Sequence, residues 1–367
     1  MKNLQLFKYL FAGFLVLVYC LPASAAITLY DKDATTFSVD GYFNVFYVNS
    51  KSDIADTQQA RVKMGFLPNT IGFNFSKQID DLKIGGRSSF WVTINDDSPT
   101  DTPIDVRQFY ATVDGAFGQV LLGKDFGLFC RSNIFLDEIL MGFGKTNGVD
   151  AKGVSFGNIG SGYAYPMPEA QITYRTPDLS GFKLAIGLFD PARTNTGTFA
   201  EESIPRLEAE ATYTLAYDGG SLTAWIGGLT QTSKSATSSD VDSQGFHGGV
   251  KASLAGFSLH ASGFSGEGIG SLGAFNGGGN SNLDATGYLI QGAYTIDKFR
   301  LVGSYGKSEQ DIATGGTNDD ETIIAAVFYS YNSNLILVAD YSIEETKSAG
   351  VKTEEINTIA LGAVITF

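Results

Sequence analysis

The sequence has few of the residues that hold small secreted domains together or that build catalytic centres. Its 367 residues include only 2 cysteines, 2 histidines and 9 prolines. Cys20 falls in the leader described below, so Cys130 alone remains in the rest of the chain and an intramolecular disulfide is excluded. The two histidines, His247 and His260, have no evident serine or aspartate partners of the kind that a hydrolytic site needs.

Long hydrophobic runs are also missing after residue 25, and no heptads or amphipathic helices are evident. The first residues do form a recognisable segment. Lys2 and Lys8 precede and flank the start of a short apolar stretch, and Ala23-Ser24-Ala25 is a small-residue cleavage site. We therefore predict that residues 1–25 are a cleaved secretory signal peptide and that residues 26–367 form the mature domain.

Positive charge is scarce as well. The chain has 25 Lys and Arg against 39 Asp and Glu, a formal net charge of −14, which argues against nucleic acid as a partner. A G-x-G-x-x-G match begins at Gly268, but it opens no helix and lies in a glycine-rich loop. The sequence therefore predicts no cofactor and no metal.

Glycine and aromatic residues are abundant instead, with 44 Gly, 27 Phe and 17 Tyr. They fall in short segments in which apolar and polar residues alternate with the period of two that is typical of β-strands. Charged side chains occur in the middle of several polar faces. The clearest segments are 38–48, 71–76, 82–92, 206–215, 288–294, 335–341 and 359–367.

The connections between these segments are alternately short and long. Asp80-Asp81 and Asp297-Lys298 are typical short ones, whereas residues 50–60 and 345–354 are typical long polar ones. Such alternation indicates an up-and-down barrel with turns on one rim and loops on the other. We predict an all-β fold, a transmembrane antiparallel up-and-down β-barrel of about 16 strands.

A soluble β-sandwich would show the same alternation of polar and apolar residues. In a sandwich the apolar face is packed inside, whereas in a membrane barrel the apolar face meets lipid and the polar face meets water in the lumen. The predicted secretion, the number of strands and the alternation of turns favour the barrel.

One stretch in the first third of the chain interrupts the pattern. Residues 106–124 have the pattern of two strands joined by a glycine-containing turn, and the alternation then stops over about residues 126–169. A structureless loop of that length is uncommon in a compact soluble domain. A wide barrel has room for it, so we predict that residues 126–169 fold into the lumen as a constriction loop.

Three stretches carry a resemblance to a known family: residues 107–124, 171–182 and 356–367. They resemble parts of the trimeric general porins of Gram-negative bacteria. The first resembles the strand, turn and strand before the constriction loop of that family, the second the strand and turn after it, and the third its last strand with a terminal Phe.

The resemblance implies an eyelet in which acids of the constriction loop face basic residues on the opposite wall. Opposite charges across a narrow gap would order water and favour polar solutes. The alternative is that each arginine pairs structurally with a neighbour. Pro68 departs from the family pattern, so Arg61 joins the basic group only if the register of its strand is kept. The implied basic wall is Lys83, Arg87, Arg107, Arg61, Arg175 and Arg206, and the implied loop acids are Asp137, Glu138 and Asp150.

The same resemblance implies a homotrimer in the cell outer membrane of a Gram-negative bacterium. It would contact outer-membrane lipid and lipopolysaccharide, and the barrel-assembly machinery would insert it, with Phe367 as the assembly signal. We expect a water-filled channel for passive diffusion of small hydrophilic solutes and ions, not an enzyme.

Two alternatives stay open. An outer-membrane barrel enzyme would need a histidine-based site, and we expect His247 and His260 to lie on adjacent strands. A substrate-specific porin with a solute-binding constriction would suit the many aromatic residues of the long loop, although these would equally pack the loop against the wall. They are Phe126, Phe129, Phe135, Phe143, Phe156, Tyr163 and Tyr165.

Overall fold

The computed structural model describes residues 26–94, 104–146, 148–191, 200–201, 203–235, 239–270 and 282–367. The predicted signal peptide, residues 1–25, lies outside these residues. Among the described residues, no helix is both long and apolar enough to cross a membrane.

Most of the described residues are in β-strands, and 19 strands form one antiparallel sheet. A single short helix, α1 (Arg131–Phe135), occurs in the described part of the segment between β7 and β8. The strands are β1 (Ile27–Lys32), β2 (Thr35–Ser52), β3 (Thr57–Lys63), β4 (Asn69–Ile79), β5 (Leu82–Val92), β6 (Ile104–Gly115), β7 (Gly118–Phe126), β8 (Pro168–Arg175), β9 (Phe182–Phe189), β10 (Ala200–Glu201), β11 (Arg206–Tyr217), β12 (Gly220–Ser235), β13 (Val241–Leu254), β14 (Phe257–Glu267), β15 (Asp284–Ile296), β16 (Phe299–Asp311), β17 (Thr317–Ser330), β18 (Leu335–Ser348) and β19 (Val351–Thr366).

The sheet closes on itself because β19 pairs with β2 along most of its length. Strands β3 and β4 lie end to end beside β2, and β10 and β11 both pair with β12, so each of these pairs counts as one interrupted strand of the barrel. Strand β1 forms a short hairpin with β2 beyond the end of β19, so it is not counted as a separate strand of the barrel. The closed barrel therefore has 16 strands, as predicted.

Burial along the barrel strands is the reverse of that in a soluble protein. On β11 the charged side chains of Arg206, Glu208 and Glu210 are only 3–4% exposed, whereas Leu207 and Tyr213 are 42% and 43% exposed. Apolar side chains therefore cover the outside and polar ones point inward, which is the arrangement that lipid outside and water inside require. The predicted facing of this strand is confirmed.

Aromatic side chains concentrate near the short turns. The rings of Phe257 and Tyr294 stack at 4.2 Å between centroids, and those of Phe299 and Tyr329 lie 4.8 Å apart. All four residues lie within four positions of a two-residue turn or a strand end. Rings at this height form the kind of girdle that barrels place at a membrane–water interface.

Several connections that the sequence predicts as long loops are in fact paired strands with tight turns. Within 50–60, β2 runs to Ser52 and β3 begins at Thr57; within 345–354, β18 and β19 are joined by two residues only. Those residues, Ala349 and Gly350, both have positive φ (49° and 78°), as in the turns that suit hairpin twist. Beyond the membrane both faces of a hairpin meet water, so pairing continues without apolar alternation.

The strand that contains Pro68 is broken, as the sequence suggested. Residues 64–68, between β3 and β4, leave the sheet and point into the barrel. The Asn44 side chain on β2 replaces part of the missing ladder: its Nδ2 donates to the Leu67 carbonyl (2.7 Å) and its Oδ1 accepts from the Gly65 amide (2.6 Å). One amide side chain thus satisfies backbone groups that the break would leave unpaired.

The last residue of the sequence also takes part in the contact between β19 and β2. Phe367 exchanges two backbone hydrogen bonds with Gly41 on β2, at 2.8 and 3.0 Å, and its ring stacks on Phe43 with centroids 5.9 Å apart. The ring occupies the space that a side chain on Gly41 would need, since a Cβ there would lie 2.3 Å from Phe367 Cε1.

We expect deletion of Phe367 and the substitution Gly41→Val to lower the amount of folded barrel in the membrane. Overpacking of the kind that Gly41→Val creates typically costs about 1–3 kcal/mol. The measurement is the fraction of heat-modifiable protein in outer-membrane preparations.

Gly303→Val is the matched control, because Gly303 lies on the outer face of β16 with nothing within 4 Å of its Cβ position. Equal membrane levels for the Gly41 and Gly303 variants, together with normal levels for the deletion, would show that this contact does not govern closure.

Candidate functional site in the barrel lumen

The described residues of the segment between β7 and β8, 127–146 and 148–167, contact the inner face of the barrel wall. Its backbone donates hydrogen bonds to inward-facing carboxylates on the wall. Glu208 Oε2 accepts from the amides of residues 128 and 129 (2.6 and 2.9 Å), and Asp340 Oδ2 accepts from those of residues 143 and 144 (both 3.1 Å). The loop is therefore fastened to β11 and to β18, on the inner face.

More wall side chains hold the loop in the same way. Glu210 Oε2 accepts from the Ser132 amide (3.0 Å) at the first turn of α1, and Gln291 Oε1 accepts from the Glu138 amide (2.9 Å). An irregular segment has amides that no ladder satisfies, and side-chain oxygens of the wall supply the acceptors that these amides need. The polar inner face of the barrel thus acts as a template for the loop.

Among the predicted loop acids, Asp137 lies at the loop–wall contact and is 5% exposed. Its carboxylate accepts hydrogen bonds from the hydroxyl of Tyr163 (2.6 Å) and from the side-chain amides of Asn158 (2.9 Å) and Gln291 (2.6 Å). All three donors lie within hydrogen-bond distance of the Asp137 carboxylate. The structure therefore places Asp137 in the packing between loop and wall.

Glu138 fastens the next turn of the loop to the wall. Its carboxylate pairs with Lys251 (2.9 Å) on β13 and with Arg300 on β16, and it accepts from the Ser258 hydroxyl (2.6 Å). Burial raises the pKa of the Glu138 carboxyl, but Lys251, Arg300 and the hydroxyl outweigh it and hold the pKa at about 2. Glu138 is therefore ionised and acts as an ionic tether.

Asp150 and Arg61 form an ion pair with each other, with 65% and 26% of their side chains exposed. Arg206 is 3% exposed and pairs with Glu208 (2.7 Å) and Glu169. These two arginines have the paired arrangement that the sequence left open as the alternative to an eyelet.

Arg107 is also held by its neighbours. Its Nε pairs with Asp105 (2.7 Å), its Nη1 donates to the Tyr165 hydroxyl (2.9 Å), and its guanidinium lies 5.0 Å from the centroid of the Trp91 ring. Lys83 is exposed near the short-turn end of β5, where it lies opposite Asp114 in the backbone pairing of β5 with β6.

A cavity of about 680 Å³ lies between the first part of the loop and the wall, lined mainly by β5 to β9 and also by residues of β2 and β11. Two of the predicted basic residues, Arg87 and Arg175, line it. Two further cations line it that the sequence analysis did not select, Arg131 on α1 and Lys183 on β9. The structure thus brings together two basic residues of the predicted set and adds two more, one from the loop and one from β9.

Two carboxylates organise the cations in this cavity. Arg87 makes a two-pronged contact with Asp40, at 2.6 Å from Nη1 and 3.0 Å from Nη2. Asp125 lies 3.3 Å from Arg131 and 3.7 Å from Arg175. The arginines are consequently held in fixed positions at the cavity wall, which is what a defined electrostatic field in a channel requires.

A sequence signal for Arg131 existed but was weak. It is a basic residue in a segment for which the sequence analysis considered mainly acids, and it follows Cys130, which has a left-handed backbone (φ 60°). The Arg131 Nη1 donates to the Phe126 carbonyl (2.9 Å), which turns the side chain back toward β7. That direction depends on the local fold and not on the residue types.

The two histidines lie on adjacent strands, as predicted, on β13 and β14. Both are buried behind the loop, where His247 contacts the Asn133 side chain (3.2 Å) and His260 contacts the Leu136 carbonyl (3.2 Å). Their surroundings are those of packing residues between loop and wall.

Comparison with known proteins agrees with this architecture. A family model described as Gram-negative porin matches residues 12–349. No curated protein sequence gives a significant match.

Solved structures with the same fold include the anion-selective porin from Comamonas acidovorans, at 14% identity, covering 91% of this chain and 100% of that one, with a TM-score of 0.69. The outer-membrane channel DcaP of Acinetobacter baumannii is 17% identical, with coverage of 93% and 100% and a TM-score of 0.70. OmpT of Vibrio cholerae, in vitro folded and in its trimer form, is 16% identical, with coverage of 91% and 100% and a TM-score of 0.60. With the family match spanning most of its length, the chain belongs to the Gram-negative porins, and it forms a water-filled channel in the outer membrane through which small hydrophilic solutes diffuse passively.

Proposed function

We propose that the constriction of this porin lies along the wall of β5 to β9, opposite the start of the loop. The observation that carries the proposal is the way the loop backbone is fastened: the wall side chains that accept hydrogen bonds from its amides lie on β11, β15 and β18, and its backbone also bonds to the inward segment 64–68. The cavity lined by Arg87, Arg131 and Arg175 lies on the remaining side. Solutes that cross the barrel therefore pass these arginines.

In this proposal the predicted residues divide into two groups. Arg87 and Arg175 act on solutes, whereas Arg61, Arg107 and Arg206 hold neighbouring side chains in place. The predicted acids Asp137, Glu138 and Asp150 act mainly by fixing the loop, and the acids that face the cavity cations are Asp40 and Asp125. Lys83 lies nearer the rim and contributes to the field at the mouth.

We also propose that residues 1–25 are removed as a signal peptide and that residues 26–367 assemble as a homotrimer. Phe367 would serve as the signal for the barrel-assembly machinery, and the exposed apolar face would contact lipid, with lipopolysaccharide at the outer rim. The trimer is supported by family membership and by the relative described in a trimer form. The channel needs no catalytic residue, cofactor or metal, so we infer that the protein is not an enzyme.

Arg175→Gln should shift ion selectivity toward cations, because it removes a fixed positive charge from the conducting path and leaves Asp125 with one guanidinium fewer. The shift should be largest at low salt and should fade as the Debye length falls below about 8 Å. Reversal potentials across a planar bilayer under a KCl gradient measure it.

Lys83→Gln is the matched control, since it removes the same charge at a wide and better-screened place. If the two variants moved the reversal potential equally, or if Arg175→Gln left it unchanged, the path would not run past Arg175.

Glu138→Gln should loosen the loop, because the neutral amide leaves Lys251 and Arg300 without their anion. Removing one partner of a buried pair costs about 3–5 kcal/mol, and the 22% and 32% exposure of the two cation side chains favours the lower end. We expect frequent subconductance steps in single-channel records and faster proteolysis within 127–167.

The control here is Glu309→Gln, because Glu309 pairs with Lys307 on the same strand and is 46% exposed. Quiet, wild-type-like single-channel records from the Glu138 variant would show that the loop does not depend on this tether.

The trimer makes a simple prediction for gels. Unheated protein in mild detergent should migrate well above the 39.2 kDa of the full chain, and heating should bring it to the size of a monomer. Identical migration of both samples at monomer size would contradict the trimer.

A further inference from the structure

The cavity at the constriction has an apolar side as well as a basic one. The rings of Trp91, Phe126 and Phe135 follow one another in edge contact, with centroids 5.9 and 5.2 Å apart and interplanar angles of 66° and 89°. All three residues line the cavity, together with Leu67, Leu121 and Leu128. A barrel lumen is otherwise polar, so a continuous aromatic row at the narrow part of the path is a feature that water and inorganic ions do not need.

Arg131 joins the apolar side to the basic side. Its guanidinium carbon lies 5.0 Å from the centroid of the Phe135 ring, and its Nη2 lies 3.3 Å from Asp125. A solute whose charged group contacts Arg131 would therefore have its remaining part beside Phe135 and Phe126. Cation and ring are close enough to contact one small molecule at the same time.

The charges of the cavity favour an anion. Among its lining residues four are basic, namely Arg87, Arg131, Arg175 and Lys183, and three are acidic. One of the acids, Asp125, is shared by two guanidinium groups, and Glu210 is turned toward the Ser132 amide. Guanidinium groups are well suited to bind carboxylates because their N–H groups match the two oxygens.

The size of the cavity also suits a small organic molecule. Its volume of about 680 Å³ is within the range of roughly 300–1,000 Å³ that is usual for ligand sites, and a mostly apolar lining with a few convergent polar groups is their usual composition. Inorganic anions would use the arginines alone and would gain nothing from the rings.

We propose that this cavity is a saturable binding site for small carboxylates that carry an aromatic ring. The carboxylate contacts Arg131 and Arg175, and the ring packs against Phe126 and Phe135. The proposal rests on the constriction described above and adds to it the class of solute that the channel retains on passage.

The test is block of KCl current through single channels in planar bilayers, with benzoate, acetate and benzylammonium as probes. Benzoate should reduce the current with a saturating concentration dependence. Acetate has the carboxylate without the ring, and its apparent affinity should be about tenfold weaker, the size that one aromatic contact provides. Benzylammonium has the ring with the opposite charge and should give no saturable block.

Two variants separate the two halves of the site. Phe135→Leu should weaken the apparent affinity for benzoate toward that of acetate, while the affinity for acetate stays the same. Arg131→Gln should weaken both. Phe246→Leu is the control for the first, because Phe246 is 70% exposed on the outer face, and Lys83→Gln is the control for the second.

The outcomes distinguish this proposal from the function on which it rests. Normal KCl conductance with equal, non-saturating effects of benzoate and acetate would overturn the carboxylate site and leave the channel intact. Stronger block by benzylammonium than by benzoate would also overturn it. A protein that inserts as a trimer but conducts no KCl would overturn the proposed constriction itself.

Discussion

The hydrogen bonds between carboxylates of the barrel wall and backbone amides of the inner loop are the interaction on which the pore depends. Glu208, Glu210 and Asp340 each accept from amides that have no strand partner. Without such acceptors an irregular segment of this length would leave many polar groups unpaired inside the barrel, at a cost that packing alone does not offset. Their positions on the wall therefore fix where the backbone of the loop meets β11 and β18.

This dependence explains why the basic residues of the lumen behave so differently from one another. Arg206 faces inward on β11, next to the carboxylates that bind the loop, and it forms ion pairs with Glu169 and Glu208. Arg175 faces inward on β8, beside the first part of the loop, and it lines the cavity. Both have the same facing by sequence parity. What separates them is the course of the loop across the lumen.

The barrel itself follows from local pattern. Facing on β11 was predicted from alternation alone, since a period of two places every second side chain on the same face whatever the partner strand is. The alternation did not predict how far the strands extend beyond the membrane, as at Ser52 and Thr57. A hairpin with water on both sides has no apolar face, so its strands show no alternation of polar and apolar residues. At Pro68 the sequence left open whether the strand breaks or shifts; it breaks, and the missing N–H of proline cannot donate to the ladder there.

The sequence by itself determined the strands of a barrel, the facing of their side chains and the long interruption after β7, because each is a pattern of residues close together in the chain. Only the tertiary structure decided where the loop lies and what its charges do. Glu138 meets Lys251 and Arg300, far away in sequence, and Arg131 is turned to the cavity by a carbonyl at Phe126. Charge partners across a lumen are chosen by the three-dimensional path of the chain, since Coulomb and hydrogen-bond energies depend on distance and direction in space and no periodicity of the sequence encodes them.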